Sequence, residues 1–263
     1  MTEEGENALV CFLNLSSDYL RDGHTRFREA VGPRVKTAPE EAPEEEPRGE
    51  HGLPLAYLIE EPGDGPDESE QGDPAAPPSA DSIEAVEAEA AACKACALAA
   101  TRTHAVPGEG AKQPLVMVIG EGPGADEDAQ GRPFVGRAGQ LLDKMLESIG
   151  LSRDKNCYIA NMVKCRPPGN RDPQPGEQEA CIGFLREQVR FIRPKIIVCL
   201  GRIAAMRLIS PDFKVTRQHG EFFEKNGVLM MGTFHPAALL RNPNQKPGAF
   251  EDFIALREKL KTL

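Results

Sequence analysis

The chain has 263 residues with 31 Lys plus Arg against 41 Asp plus Glu, a formal charge of −10. That acidity is lopsided: residues 1–80 hold 6 basic and 19 acidic side chains, leaving 25 and 22 for residues 81–263. The C-terminal part is mildly basic, so the acidic average does not exclude a nucleic-acid partner. No apolar run reaches the ~18 residues of a membrane span. Ala8–Leu15 follows glutamates rather than a basic start, which argues against a secretory signal. A cytoplasmic protein without membrane contact is expected, with a monomer as the default. In that reducing compartment the seven cysteines should be metal ligands or buried thiols rather than disulfides.

Residues 37–80, rich in Pro, Glu, Asp and Gly, bury too little apolar surface to offset their chain entropy. Residues 1–80 are therefore predicted to be an acidic, largely disordered extension, with a short helix within 7–30 and an apolar patch at Leu53–Ile59 that could dock. The texture changes at Ser82. Ile83–Leu98 reads as an Ala-rich helix, with Cys93 and Cys96 near its end. Pro114–Gly120, Asn156–Val163, Lys195–Leu200 and Val228–Thr233 are short apolar runs suited to buried strands. Helices are expected at Gly136–Ile149, Glu177–Ile192, Arg202–Ile209 and Phe250–Leu260. Alternating strands and helices predict an α/β fold on a mostly parallel sheet. Ligands of such sheets sit beyond the carboxyl ends of the strands, here the loops after Ile119, Ala160 and Thr233.

Cys93 and Cys96 form a C-x2-C pair, and Cys165 and Cys181 a looser C-x15-C pair. Four thiolates suit either tetrahedral zinc, the commoner filler, or an iron–sulfur cluster. The blander possibility makes Cys165 and Cys181 ordinary buried thiols, as expected for Cys157 and Cys199 in their strands.

The first strand runs into Gly120-Glu121-Gly122-Pro123-Gly124-Ala125-Asp126-Glu127-Asp128. Its glycine spacing is not that of a dinucleotide fingerprint, and its carboxylates would repel a pyrophosphate. Carboxylates beside a tight turn better suit handling water or reading a neutral ring. Taken alone they could equally be a solvated helix start. Phe134 follows in a glycine-flanked loop, where it could be core or could stack on a base. After the last strand, His235 precedes Pro236 at a helix start, either as a structural residue or as a catalytic one. Leu239 and Leu240 could pack in the core or wedge into a duplex, with Arg241 on phosphate.

The stretches GEGPGADEDAQGRPFVGRAG, IANMVKCRPPGNRDPQPGE, KIIVCLG and FHPAALLRNP, together with the four cysteines, closely resemble the family 4 uracil-DNA glycosylases of bacteria and archaea. The similarity runs from about Ile83 to the C-terminus. It implies a glycosylase domain over residues 81–263, with a four-stranded, mostly parallel sheet between helices. It also implies a [4Fe–4S] cluster on Cys93, Cys96, Cys165 and Cys181, in place of zinc and in a structural role. By the match, Phe134 stacks on uracil, Asn161 pairs with its edge and His235 faces O2. Gly122 stands where better-known glycosylases carry a water-activating aspartate, leaving Glu121 or Glu127 to position water. Gly124 stands where they carry an aromatic that excludes thymine.

The implied activity is excision of uracil from single- or double-stranded DNA, leaving an abasic site without strand cleavage, since no lysine nucleophile is needed. Two rivals are a non-catalytic nucleic-acid-binding module with a metal centre and a related glycosylase of altered base preference. Relatives that trap DNA covalently carry a basic histidine-bearing insertion after the second strand. CRPPGNRDPQPGE has no such histidine.

Overall fold

A computed structural model describes residues 80–263 except Asn226, together with the backbone of Val35–Thr37. The helix expected within 7–30, the Leu53–Ile59 patch and all but the ends of the 37–80 linker lie outside the described residues.

The four predicted strands form the centre of the sheet. They are β3 (Val116–Gly120), β4 (Cys157–Asn161), β5 (Ile196–Leu200) and β7 (Val228–Thr233), mutually parallel in the order β7-β5-β3-β4. Every residue of β3, β4 and β5 is buried, as expected where helices cover both faces. The sheet is wider than four strands. Short β2 (Glu109–Gly110) and β6 (Phe222–Lys225) add antiparallel to β4 and β7, giving six strands within residues 80–263. Val35–Thr37 (β1), from the N-terminal extension, adds a seventh, parallel to β6.

One face carries α3 (Arg137–Glu147), α7 (Pro236–Arg241) and α8 (Lys246–Leu260); their Leu142, Leu239 and Phe253 share a core with Val118 and Val198. The other face carries α4 (Pro175–Ile192) and α5 (Arg202–Leu208), with Leu185 and Ala205 against Ile119 and Cys199. Helix α4 starts with Pro175 in its first turn and with the Glu177 carboxylate accepting from the Gln174 N–H at 2.7 Å, which satisfies a donor that the helix end would otherwise leave open.

Helix α1 (Ile83–Ala92), capped by the Ser82 hydroxyl, is shorter than expected. The chain leaves helical geometry at Cys93 and is extended at Cys96, so the C-x2-C pair lies in a loop after the helix. Alanine propensity alone would have carried the helix on, but here the loop conformation wins. From β3 the chain moves to β4 on one side and then to β5 on the other. The carboxyl end of β3 is thus a topological switch point, where α/β sheets bind ligands.

Candidate active site

Gly120, Asn161 and Thr233 close β3, β4 and β7, and the loops they feed meet above the sheet. Gly120 pairs with Asn161 across the ladder. A Cβ on Gly120 would lie 2.4 Å from Asn161 Oδ1 and 2.6 Å from Phe134 Cζ. The bare backbone therefore makes the floor of a cradle between an amide and an aromatic ring. Asn161 is 1 % exposed, and its Oδ1 has no hydrogen-bond partner. A buried acceptor left unpaired costs about 1–3 kcal/mol, which a bound ligand offering N–H would recover. The rings of Phe134 and His235 lie 5.6 Å apart at an interplanar angle of 32°. Phe134, Asn161 and His235 thus stand around one place.

Phe134 has φ +52°, in the left-handed region that costs a non-glycine residue about 1–3 kcal/mol. Two brackets hold it there. Glu127 Oε1 accepts from the N–H groups of Val135 and Gly136 at 2.9 and 3.0 Å, while Oε2 accepts from Gly124 N–H at 3.1 Å. Arg153, anchored on Asp143 at 2.8 Å, donates to the carbonyls of Pro133 and Phe134, each at 2.9 Å. Gly139 lets α3 close on the same loop, since a Cβ there would sit 1.8 Å from the Phe134 carbonyl oxygen. Glu127, expected beside a catalytic water, thus gives both of its oxygens to backbone, in the first turn of α2 (Ala125–Gln130).

His235 is the N-cap of α7, and its Nδ1 accepts from Ala237 N–H at 3.2 Å. That bond puts the lone pair on Nδ1 and leaves the proton of the neutral ring on Nε2, as a donor. Burial pushes the imidazole down to about 4; the positive charge of Arg241 adds to this and Glu127 opposes it. At neutral pH the ring is an uncharged N–H donor.

Glu121, half-buried at the end of β3, is pushed up to about 7, first by burial and then by neighbouring Asp172, against Arg202 and Arg241. Arg202 pairs with Asp172. Glu121 therefore sits where its ionisation changes near neutral pH. Gly122 packs at the other end of the turn, and a Cβ there would meet Val163 at 2.9 Å.

Leu240 is 41 % exposed and Arg241 is exposed beside it, at the end of the helix that His235 caps. Leu239 corrects the expectation of a wedge. It is 1 % exposed and packs in the core under α3, because the one-residue step along α7 turns it inward.

Cys93, Cys96, Cys165 and Cys181 line one cavity behind the Val163–Arg166 stretch. Ala90, Ala99 and Phe184 give it an apolar wall, and Leu98 and Val163 pack in one cluster with Cys165 and Cys181. Three of the sulfurs accept hydrogen bonds: Cys165 from Arg102 Nη1 at 2.9 Å, Cys181 from Lys164 N–H at 3.3 Å and Cys93 from Ala95 N–H at 3.4 Å. Among the described residues no group of three or more His, Cys, Asp or Glu is arranged to hold a metal ion. Cys157 and Cys199 are fully buried in β4 and β5 and far from thiolate character, burial pushing both thiols well up, which suits the ordinary core thiols expected.

Gly139, Arg153 and Lys164 were not singled out in the sequence, whereas Gly120 was named there as part of the glycine-rich turn after the first strand.

Comparison with known proteins matches residues 107–261, more than half of the chain, to the Uracil DNA glycosylase superfamily. A type-4 uracil-DNA glycosylase of Sulfurisphaera tokodaii is 45 % identical over 166 residues, covering 60 % of this chain and 75 % of that protein. One of Archaeoglobus fulgidus is 44 % identical over 169 residues, covering 61 % and 84 %. A type-5 uracil-DNA glycosylase of Pyrobaculum aerophilum is 35 % identical over 150 residues, covering 51 % and 66 %. The chain belongs to the uracil-DNA glycosylase superfamily, and within it to the type-4 glycosylases. No described helix is long and apolar enough to cross a membrane.

Proposed function

We propose that this protein removes uracil from DNA by hydrolysing its N-glycosidic bond, leaving an abasic site. The observation that carries the reading is the buried, unpaired Oδ1 of Asn161 at the edge of the Gly120–Phe134 cradle. Uracil presents N3–H to that oxygen and O4 to the amide N–H, while its ring stacks on Phe134. Cytosine presents a bare N3 and an amine there, reversing both contacts. Each mispaired buried group costs about 1–3 kcal/mol.

The uracil base lies inside the stack, where pocket residues cannot reach its edge, so the nucleotide must be flipped out, at a cost of a few kcal/mol. In this reading the exposed Leu240 occupies the gap and Arg241 holds phosphate. Bond cleavage gives an oxocarbenium-like sugar and a uracil anion. Neutral His235, with its proton on Nε2, donates to O2 as negative charge builds there. Glu121, when ionised, faces the developing sugar cation and the water that captures it. Glu127 acts as a positioning residue: its three backbone bonds fix the Phe134 loop. We predict that Asn161→Asp lowers uracil excision while shifting the remaining activity toward cytosine, whose amine can donate to a carboxylate. Parallel single-turnover assays on uracil and cytosine oligonucleotides check this; an unchanged rate and base preference would overturn the pairing role.

Cys93, Cys96, Cys165 and Cys181 would hold a [4Fe–4S] cluster, which as a thiolate-held inorganic core ties distant segments together. Thiols spread around a cavity suit a cluster better than a single zinc ion, which needs its sulfurs about 2.3 Å from one centre. The N–H donors to three sulfurs also suit thiolates. Anaerobically purified protein should carry about four irons per chain and absorb broadly near ~400 nm. Zinc without iron would overturn the cluster.

A further inference from the structure

Lys164 lies between the base-reading Asn161 and the ligand Cys165, and is 1 % exposed. Burying an ammonium costs several kcal/mol unless an anion answers it. Its Nζ instead donates to two neutral oxygens, the Asn161 carbonyl at 2.9 Å and Gln188 Oε1 at 2.7 Å. Such partners orient a cation without neutralising it. Glu87 contributes from farther off, through the Tyr158 hydroxyl that donates to it at 2.7 Å and that receives Gln188 Nε2 at 3.3 Å. The nearer candidate is the cysteine cavity, whose wall includes Lys164 and which receives its backbone N–H on Cys181. Gln188 stands two turns beyond Cys181 on α4, on the same helix face, so one helix supplies both a sulfur and a lysine anchor. Asn161 is the last residue of β4, and its carbonyl bonds to the ammonium where the ladder ends.

We propose that Lys164 is the charge partner of the thiolate centre and, through the same ammonium, the clamp that holds Asn161 in its base-reading position. This rests on the cluster reading above: four thiolates around an iron–sulfur core leave a net negative charge, which Lys164 answers from one side and Arg102 from another. Lys164 is a positioning residue, touching neither base nor sugar. It makes the cysteine site a support for base recognition as well as for the fold.

The test uses Lys164→Met, which removes charge and donors but keeps an unbranched chain of similar length. Iron content, cluster reduction potential, thermal midpoint and single-turnover uracil excision are measured on the full-length parent and variant. Loss of a nearby cation disfavours the more negative reduced cluster, so the potential should shift downward. Loss of the clamp should slow excision by the iron-loaded variant about tenfold or more, as is common for groups supporting a metal centre. An iron-loaded variant with the parent's potential, or with the parent's rate, would overturn the proposal. Should Lys164→Met not fold or load iron, Gln188→Leu removes one anchor but keeps the charge. It should slow excision without moving the potential, and the parent's rate there, or a moved potential, would overturn the proposal. Absence of iron from the parent itself would instead overturn the cluster reading, and is read separately.

Discussion

Replacing His235 with Ala is expected to lower the single-turnover rate of uracil excision by about 10²–10³ while leaving the affinity for uracil-containing DNA nearly unchanged. Loss of one preorganised donor to a developing oxyanion typically has this effect. The ring meets the requirement because its Nδ1 is occupied as an acceptor by Ala237 N–H, which aims the single proton outward from Nε2. Its pKa of about 4 means that protonation does not interrupt this role above about pH 5. The pH dependence near neutrality should come from Glu121, pushed up to about 7. If its carboxylate is the active form, the rate rises as pH increases through about 7, and Glu121→Gln flattens that limb. His235→Ala should lower the rate across the whole range. A structural role predicts otherwise: loss of the N-cap would lower thermal midpoint and activity together. A folded His235→Ala protein working at the parent rate would contradict the assignment.

Gly120→Ala should abolish excision more completely than any side-chain truncation. The added methyl would lie 2.4 Å from Asn161 Oδ1 and 2.6 Å from the Phe134 ring. Both atoms belong to the side chains that frame the cradle, so the methyl can be accommodated only by displacing the Asn161 amide and the Phe134 ring from it. The methyl fills space assigned to the uracil ring, so binding of uracil-DNA should lose its preference over undamaged DNA along with the rate. Iron content should stay at the parent level, because the cysteines lie behind a different stretch of backbone. A Gly120→Ala enzyme that still excises uracil at the parent rate would mean that the base binds elsewhere.

The sheet centre was legible because strands covered on both faces are nearly continuous apolar runs, as in Lys195–Leu200. β2 and β6 were not: two residues, or a half-polar FFEK at a sheet margin, leave little pattern. Phe134, Asn161 and His235 could be proposed because each falls at a strand exit or glycine-flanked loop within a matching motif. The support beneath them was hidden. Arg153 acts on a loop about twenty residues away, and Lys164 meets Gln188 across 24 positions, neither of which local periodicity records. Glu127 was legible as a carboxylate near the pocket, but its commitment to three backbone N–H groups depends on a turn that only the folded chain displays. Leu239 and Leu240 are adjacent and chemically alike; the direction of α7 alone separates core from surface.

The most direct measurement incubates the full chain with a DNA oligonucleotide carrying one uracil, quantifies released base, and then treats the DNA with alkali. The account predicts free uracil in amounts matching the alkali-labile sites, with no strand break before alkali. Retarded migration of the oligonucleotide with neither released uracil nor alkali-labile sites would contradict it, and would leave a binding module in place of an enzyme.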